Sequence, residues 1–309
     1  MGRRVAAGRL HVVTGAFGYT GSFITHRLLA MGERVRTLTR NPARPNPYGD
    51  RVSVAPYSFD KPDILARSLE GAAVLYNTYW VRFVLGRTTF EAAVANTETL
   101  LRACKAAGIP RIVHVSVTNA SEGSPLPYYR GKGLVEEAIK SSGLSYSILR
   151  PPLIFGPGDI LINNIAWFLR RFPIFTVMGD GRYRLQCVFG EDLAEIAIGS
   201  ASRFDRGVED VVGPETFSFA EFVRLIAAAI GSRARIVYLS PLIVRGFLRL
   251  TGALMHDVVL TPDEITGLMS ELLVSKGPPL GRTRFREWLS QNSGSLGRSY
   301  ASELDRHFR

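Results

Sequence analysis

Short strand-like runs alternate with segments whose apolar positions recur at helical spacing, starting close to the N-terminus. Leu10–Thr14, Arg34–Thr39, Val52–Pro56, Ala73–Asn77, Arg111–Ser116 and Ser145–Arg150 read as strands. Between them, Ser22–Met31, Asp63–Leu69, Thr88–Ala107 and Leu126–Ser142 read as helices. Gly71, Gly108 with Pro110, and Gly143 supply the stops. Strands that alternate with helices predict an α/β fold with a doubly wound parallel sheet. After Arg150-Pro151-Pro152 the alternation loosens. Helical patterns follow at Ile160–Arg171, Gly190–Ser200, Ser218–Ile230, Pro241–Leu254 and Thr261–Leu273, with strand-like pieces at Arg184–Val188, Asp210–Val212 and Arg235–Leu239. These predict a core over 8–155 and a smaller C-terminal mixed α/β lobe over 156–275, interleaved with the end of the core. The remainder, 276–309, reads as an Arg/Gly/Ser-rich tail in which Phe285–Leu289 can pack.

Composition narrows the classes. The chain has 309 residues, 46% of them hydrophobic, enough for a substantial core. The formal charge is +11, nearly all arginine, and it is spread along the chain without a Lys/Arg block. Basic patches with interleaved aromatics are not evident, so nucleic acid is not an expected partner. Two cysteines, Cys104 and Cys187, are too few for a disulfide framework and read as core residues, which fits a cytoplasmic location. Arg3 and Arg4 precede a strand-like run, not a signal sequence. No stretch reaches the ~20 apolar residues of a membrane span. Leu239–Met255, interrupted by Arg245 and Arg249, has two readings. Peripheral membrane contact is one; a core helix of the second lobe is preferred. The histidines, at 11, 26, 114, 256 and 307, have no metal-ligand spacing, and His114 reads as a packed strand residue. Neither a Gly-x-Ser-x-Gly elbow nor a Walker loop is present.

The strongest motif is Thr14-Gly15-Ala16-Phe17-Gly18-Tyr19-Thr20-Gly21, between the first strand and the first helix. Gly15 permits the turn out of the strand, Gly18 lets backbone approach a pyrophosphate, and Gly21 lets the helix pack close. The helix N-terminus then favours phosphate. This makes the expected core Rossmann-type, with Gly15, Phe17, Gly18, Tyr19, Thr20 and Gly21 at a dinucleotide. The second strand ends Thr39-Arg40-Asn41, without the carboxylate that binds ribose hydroxyls in NAD sites. Arg40 suits a 2′-phosphate, with Thr39 and Arg36 assisting, so NADP is expected and NAD is the second choice. Asp60 has two readings, a partner for the adenine amine or the N-cap of the next helix.

Tyr128 and Lys132 stand four apart at the start of a helix and share one face. An ammonium beside a phenol favours the phenolate and makes it a usable acid/base. Tyr129 is a possible substitute.

The glycine turn, Asn96, the strand Ile112–Ser116, the Tyr128/Lys132 pair, and Arg150-Pro151-Pro152-Leu153-Ile154-Phe155-Gly156-Pro157-Gly158-Asp159 together resemble an extended or atypical short-chain dehydrogenase/reductase. Gly179-Asp180-Gly181 and Gly190–Ala194 extend the resemblance to about residue 230. It is nearest to NAD(P)-binding epimerase/dehydratase-like proteins, including NmrA-like proteins and the reductase-like accessory subunit of respiratory complex I. The resemblance implies that Lys132 also holds the nicotinamide ribose, and that a Ser or Thr after the fifth strand, here Ser116 or Thr118, binds the substrate oxygen. Val117 interrupts the serines usual there. Thr78, Pro151 and Ile154 are implied at the cofactor. Tyr79 and Trp80, and Asn163 and Asn164, are implied at the substrate, with core packing and backbone satisfaction as their respective alternatives. Tyr183 and Arg184 are weaker candidates of the same kind. Two functions follow. One is NADP-dependent redox or epimerase/dehydratase-like chemistry on a carbonyl, alcohol or sugar-nucleotide-like small molecule. The other is a non-catalytic NADP(H)-binding sensor or accessory subunit docked on a protein partner. A homodimer is compatible with either.

Overall fold

A computed structural model of the chain describes residues 8–203, 206–240, 243, 257, 258 and 260–308. In chain order it contains β1 (Leu10–Thr14), α1 (Tyr19–Ala30), β2 (Arg34–Thr39), β3 (Val52–Pro56), α2 (Pro62–Leu69), β4 (Ala72–Asn77) and α3 (Phe90–Ala106). Next come β5 (Arg111–Val115), α4 (Pro127–Ser141), β6 (Ser145–Arg150), β7 (Leu153–Phe155), α5 (Ile160–Arg171), β8 (Ile174–Met178), β9 (Arg184–Phe189) and α6 (Gly190–Ala201). The last are β10 (Gly207–Asp210), β11 (Thr216–Ser218), α7 (Phe219–Ala229), β12 (Arg235–Leu239), α8 (Pro262–Met269), α9 (Phe285–Asn292) and α10 (Glu303–Phe308).

The chain divides into two compact units. The first takes the described residues up to Pro151 together with Gly190–Val211; the second takes Pro152–Phe189 and the chain from Val212 onward. The first is built on a seven-stranded sheet of order β10-β6-β5-β4-β1-β2-β3, with every pairing parallel. Strand order reverses at β1/β4, the switch point at which doubly wound sheets bind ligands beyond their strand ends. α2, α3 and α4 cover one face, around Leu65, Leu100, Cys104, Val135 and Ile139. α1 packs against α6, where a Cβ on Gly190 would lie 2.4 Å from the Phe23 ring.

The boundaries differ from the expected 8–155, 156–275 and 276–309 for physical reasons. α6 packs on α1, and β10 adds to β6 as a seventh strand, so Gly190–Val211 returns to the first unit. The expected strand Asp210–Val212 is replaced by Gly207–Asp210. The segment expected as a tail contributes Phe285, Trp288, Leu289 and Leu296 to the core of the second unit, around Phe155, Phe217 and Phe222. Spaced i, i+3, i+4, the first three place one apolar face of α9 inward. That unit also holds a three-stranded mixed sheet, β11-β9-β7, and a parallel pair, β12-β8. Of the expected helix Pro241–Leu254, all but Ile243 lies outside the described residues, as does His256. No helix of the described residues is long and apolar enough to cross a membrane.

Candidate functional site

β1 runs into the glycine turn with residues 11–14 fully buried, and the turn is fixed by backbone bonds. Gly15 has φ of +67° and donates its N–H to Leu38 O at 2.9 Å; Gly18 N–H reaches Gly15 O at 2.8 Å. Ala16 N–H donates to the Thr37 hydroxyl at 3.0 Å. A Cβ on Gly21 would lie 2.2 Å from the Gly15 carbonyl oxygen, so only glycine lets α1 start this close to the strand end. α1 opens on Gly18, without a side-chain cap and without an acidic residue in its first turn. A helix N-terminus so uncluttered fits a phosphate. Tyr19 lies edge-on to Phe23, and Phe17 faces Tyr48, so both rings support the turn; Thr20 lies in the first turn of α1.

At the neighbouring strand ends Arg40 is exposed, directly after β2. Beside it, Tyr57 and Phe59 stack 4.9 Å apart and Tyr79 leans on both. Burial pushes the Tyr57 and Tyr79 phenols up, and the Arg40 charge acts against this on both, which places the guanidinium by this aromatic group. Asn96 donates to the Tyr79 hydroxyl at 2.9 Å. Two expectations are corrected here. Arg36 reaches Ser68 O at 2.8 Å, and so serves the end of α2 instead of assisting Arg40. The N-cap of α2 is Lys61, not Asp60, which stays exposed beyond β3. The Thr39 hydroxyl accepts from Asn41 N–H at 3.3 Å. Thr78 pins the turn: its N–H and hydroxyl meet the Thr14 hydroxyl and carbonyl at 2.7 and 2.5 Å.

A buried polar row crosses the sheet beneath α3 and α4. The Thr14 hydroxyl donates to Asn77 Oδ1 at 3.1 Å, and the Asn77 amide meets His114 Nδ1 at 3.1 Å. Burial, then the charge of Lys132, holds the His114 imidazole well below its ordinary value, so it is neutral. Lys132 is only 4% exposed; its Nζ donates to Val115 O at 2.9 Å and lies 4.9 Å from the centre of the Trp80 ring. Burial pulls its value from 10.5 to about 7, against the raising effect of Glu136. Trp80 stacks on Phe90, and Tyr128 meets both rings edge-on. A Cβ on Gly131 would touch Trp80 at 2.8 Å, so the glycine makes room for the indole. Trp80 Nε1 and His114 Nε2 are buried without a hydrogen-bond partner among the described residues. Tyr129 is buried.

Ser116 and Thr118 part company. The Ser116 hydroxyl donates to Glu136 Oε1 at 2.5 Å. Glu136 is 1% exposed and accepts from Arg150 Nε at 2.9 Å and also from Arg150 Nη2. The expected catalytic role of Ser116 is thereby corrected: it belongs to a buried Ser116–Glu136–Arg150 network. Thr118, fully buried, anchors its N–H on Pro151 O at 3.1 Å and remains the hydroxyl candidate. Glu136 carried no motif; its only signal was its place one turn after Lys132.

Ile154, Asn163 and Asn164 belong to the second unit. Asn163 donates to Ser299 O at 2.9 Å and accepts from Gly297 N–H at 3.0 Å. Asn164 exchanges both bonds with Ala301, at 2.9 and 3.0 Å. The substrate-facing expectation is corrected: both amides satisfy the backbone of the C-terminal segment. Ile154 lies in β7, paired with Val188 of β9. Tyr183 stacks on Phe219 in the core, and Arg184 makes a paired contact with Glu271.

The parallel sheet, its switch point and the glycine turn define the class: the chain has a Rossmann-type α/β fold, similar to that of NAD(P)-binding, epimerase/dehydratase-like proteins. Residues 15–157 match the NAD(P)H-binding family. The chain is 26% identical over 295 residues to NADH dehydrogenase (ubiquinone) 1 alpha subcomplex subunit 9, mitochondrial, of Arabidopsis thaliana, covering 89% of this chain and 73% of that protein. It is 28% identical over 235 residues to the ceramide reductase of Caulobacter vibrioides, covering 74% and 72%. Among solved structures, the triphenylmethane reductase of Citrobacter sp. complexed with NADP(H) superposes with a TM-score of 0.73 at 18% identity, over 91% of this chain and 99% of that one.

Proposed function

We propose that this protein binds NADP(H) in preference to NAD(H) and uses it in redox chemistry on a carbonyl or alcohol. The observation that carries the reading is the end of β2, where the sequence runs Thr39-Arg40-Asn41 and Arg40 stands exposed, beside a helix N-terminus free of acidic side chains. When bound, the nicotinamide supplies or accepts the hydride. Gly15–Gly21 would hold the pyrophosphate and Arg40 the 2′-phosphate. Tyr128 would pass a proton to or from the substrate oxygen. Lys132, one turn along α4, would favour its phenolate in its protonated form, which burial confines to about pH 7 and below. Thr118 would orient the oxygen. A ceramide reductase among the relatives makes long-chain carbonyl compounds the first substrates to try.

A second reading is a non-catalytic NADP(H)-binding accessory protein. It is favoured by the capture of Ser116 by Glu136, and by the likeness to a subunit of NADH dehydrogenase. One experiment separates the two. Tyr128→Phe should lower NADPH-dependent carbonyl reduction at least about hundredfold while NADPH affinity stays within about twofold. Undiminished turnover in that variant rules out Tyr128 as the acid; NADPH binding without turnover of any carbonyl by the unmodified protein favours the second reading.

A further inference from the structure

The charge of this chain is segregated by sign in the second unit. No acidic residue stands between Asp159 and Asp180, or between Glu221 and Asp257, yet these stretches contain seven arginines. The structure brings parts of the two stretches together. Arg170 Nη1 reaches Ile230 O, the Ser232 hydroxyl donates to Leu169 O at 2.5 Å, and Arg235 N–H donates to Pro173 O at 2.8 Å. β12 then runs parallel to β8, with Arg235 beside Ile174.

What projects from this corner is apolar. Phe172 is 46% and Ile174 53% exposed, with Pro173 exposed between them. Exposed arginines frame it: Arg171, Arg233 and Arg235. Arg171 lies over the Trp167 ring at 5.4 Å, and Trp167 supports Phe172 edge-on. None of these three arginines forms an ion pair among the described residues, whereas Glu215, Glu221 and Glu271 of the second unit are paired with arginines elsewhere.

We propose that the Arg171-Phe172-Pro173-Ile174 corner, with Arg233 and Arg235, docks on the surface of an anionic lipid bilayer. Side chains of this kind partition to the boundary between headgroups and acyl chains, while guanidinium groups bind lipid phosphates in pairs of hydrogen bonds. Each arginine near an anionic leaflet adds attraction, and no carboxylate in the two stretches opposes it. A protruding aliphatic–aromatic tip gains little from a nucleic-acid backbone, which rewards charge alone. The proposal is independent of which dinucleotide the first unit binds.

The test is co-sedimentation of the full chain with vesicles of phosphatidylcholine alone and of phosphatidylcholine mixed with phosphatidylglycerol, at low and high salt. The expected result is binding to the mixed vesicles only, reversed by salt. It should weaken at least about tenfold in Phe172→Ser/Ile174→Ser, and again in Arg171→Glu/Arg235→Glu, with the thermal midpoint of both variants unchanged. No sedimentation with mixed vesicles at low salt overturns the proposal. So does binding that neither pair of substitutions weakens, or equal binding to phosphatidylcholine alone.

Discussion

Lys132→Met is expected to remove about 2.5 kcal/mol of the pH dependence of stability between about pH 7.5 and 9.5. The lysine is 4% exposed, and burial lowers its value from 10.5 to about 7. Between those values the unfolded chain holds a proton that the native protein does not, so stability rises with pH across the window and is lost as pH falls toward 7. Over the whole window this amounts to about 5 kcal/mol. Methionine has no charge to desolvate and keeps most of the volume, though it leaves Val115 O without its donor. Urea denaturation of both proteins at the two pH values gives the difference directly. Equal slopes against pH in the two proteins would mean that Lys132 keeps its proton under the Trp80 ring.

Arg150→Met is expected to cost about 3–5 kcal/mol in the same assay at neutral pH, because it leaves the buried Glu136 carboxylate without its counter-charge. The Ser116 hydroxyl alone remains to bond it. The double substitution Arg150→Met/Glu136→Leu should recover much of the loss, since a buried pair replaced by apolar groups is often near neutral. A single-variant loss below about 1 kcal/mol would show that water reaches Glu136 once the arginine is gone.

Much of the first unit was legible because its strands are short apolar runs, nearly continuously buried in β1, β4, β5 and β6. Arg34–Thr39, Val52–Pro56 and Ser145–Arg150 have the bounds read from the sequence, and Leu10–Thr14 leads into the glycine turn as expected. Helix starts were harder. α1 begins at Tyr19, inside the glycine motif, with no capping side chain to mark its start. The three-residue strands Leu153–Phe155 and Thr216–Ser218 are too short to show a period. β10 was displaced because its pairing with β6, not its own pattern, makes it a strand.

At the site, the glycine turn could be read from spacing, since each glycine answers a local demand of the backbone. The side-chain network could not. Ser116 looks like a catalytic hydroxyl until Glu136, twenty residues on, is folded beneath it. Asn163 and Asn164 look like substrate contacts until Gly297, Ser299 and Ala301 arrive from the far end of the chain. Trp80 read as a ring for a ligand, and it lies over the one buried lysine of α4. Long-range pairing decides each of these, and local sequence carries no record of it.

The central claim, a dinucleotide site tuned by Arg40 to a 2′-phosphate, is tested most directly by titrating the purified protein with NADPH and with NADH and following cofactor fluorescence. The account predicts tighter binding of NADPH by about tenfold or more, a preference that Arg40→Glu abolishes while leaving NADH affinity in place. NADH binding as tightly as NADPH, or a preference that survives Arg40→Glu, would contradict it.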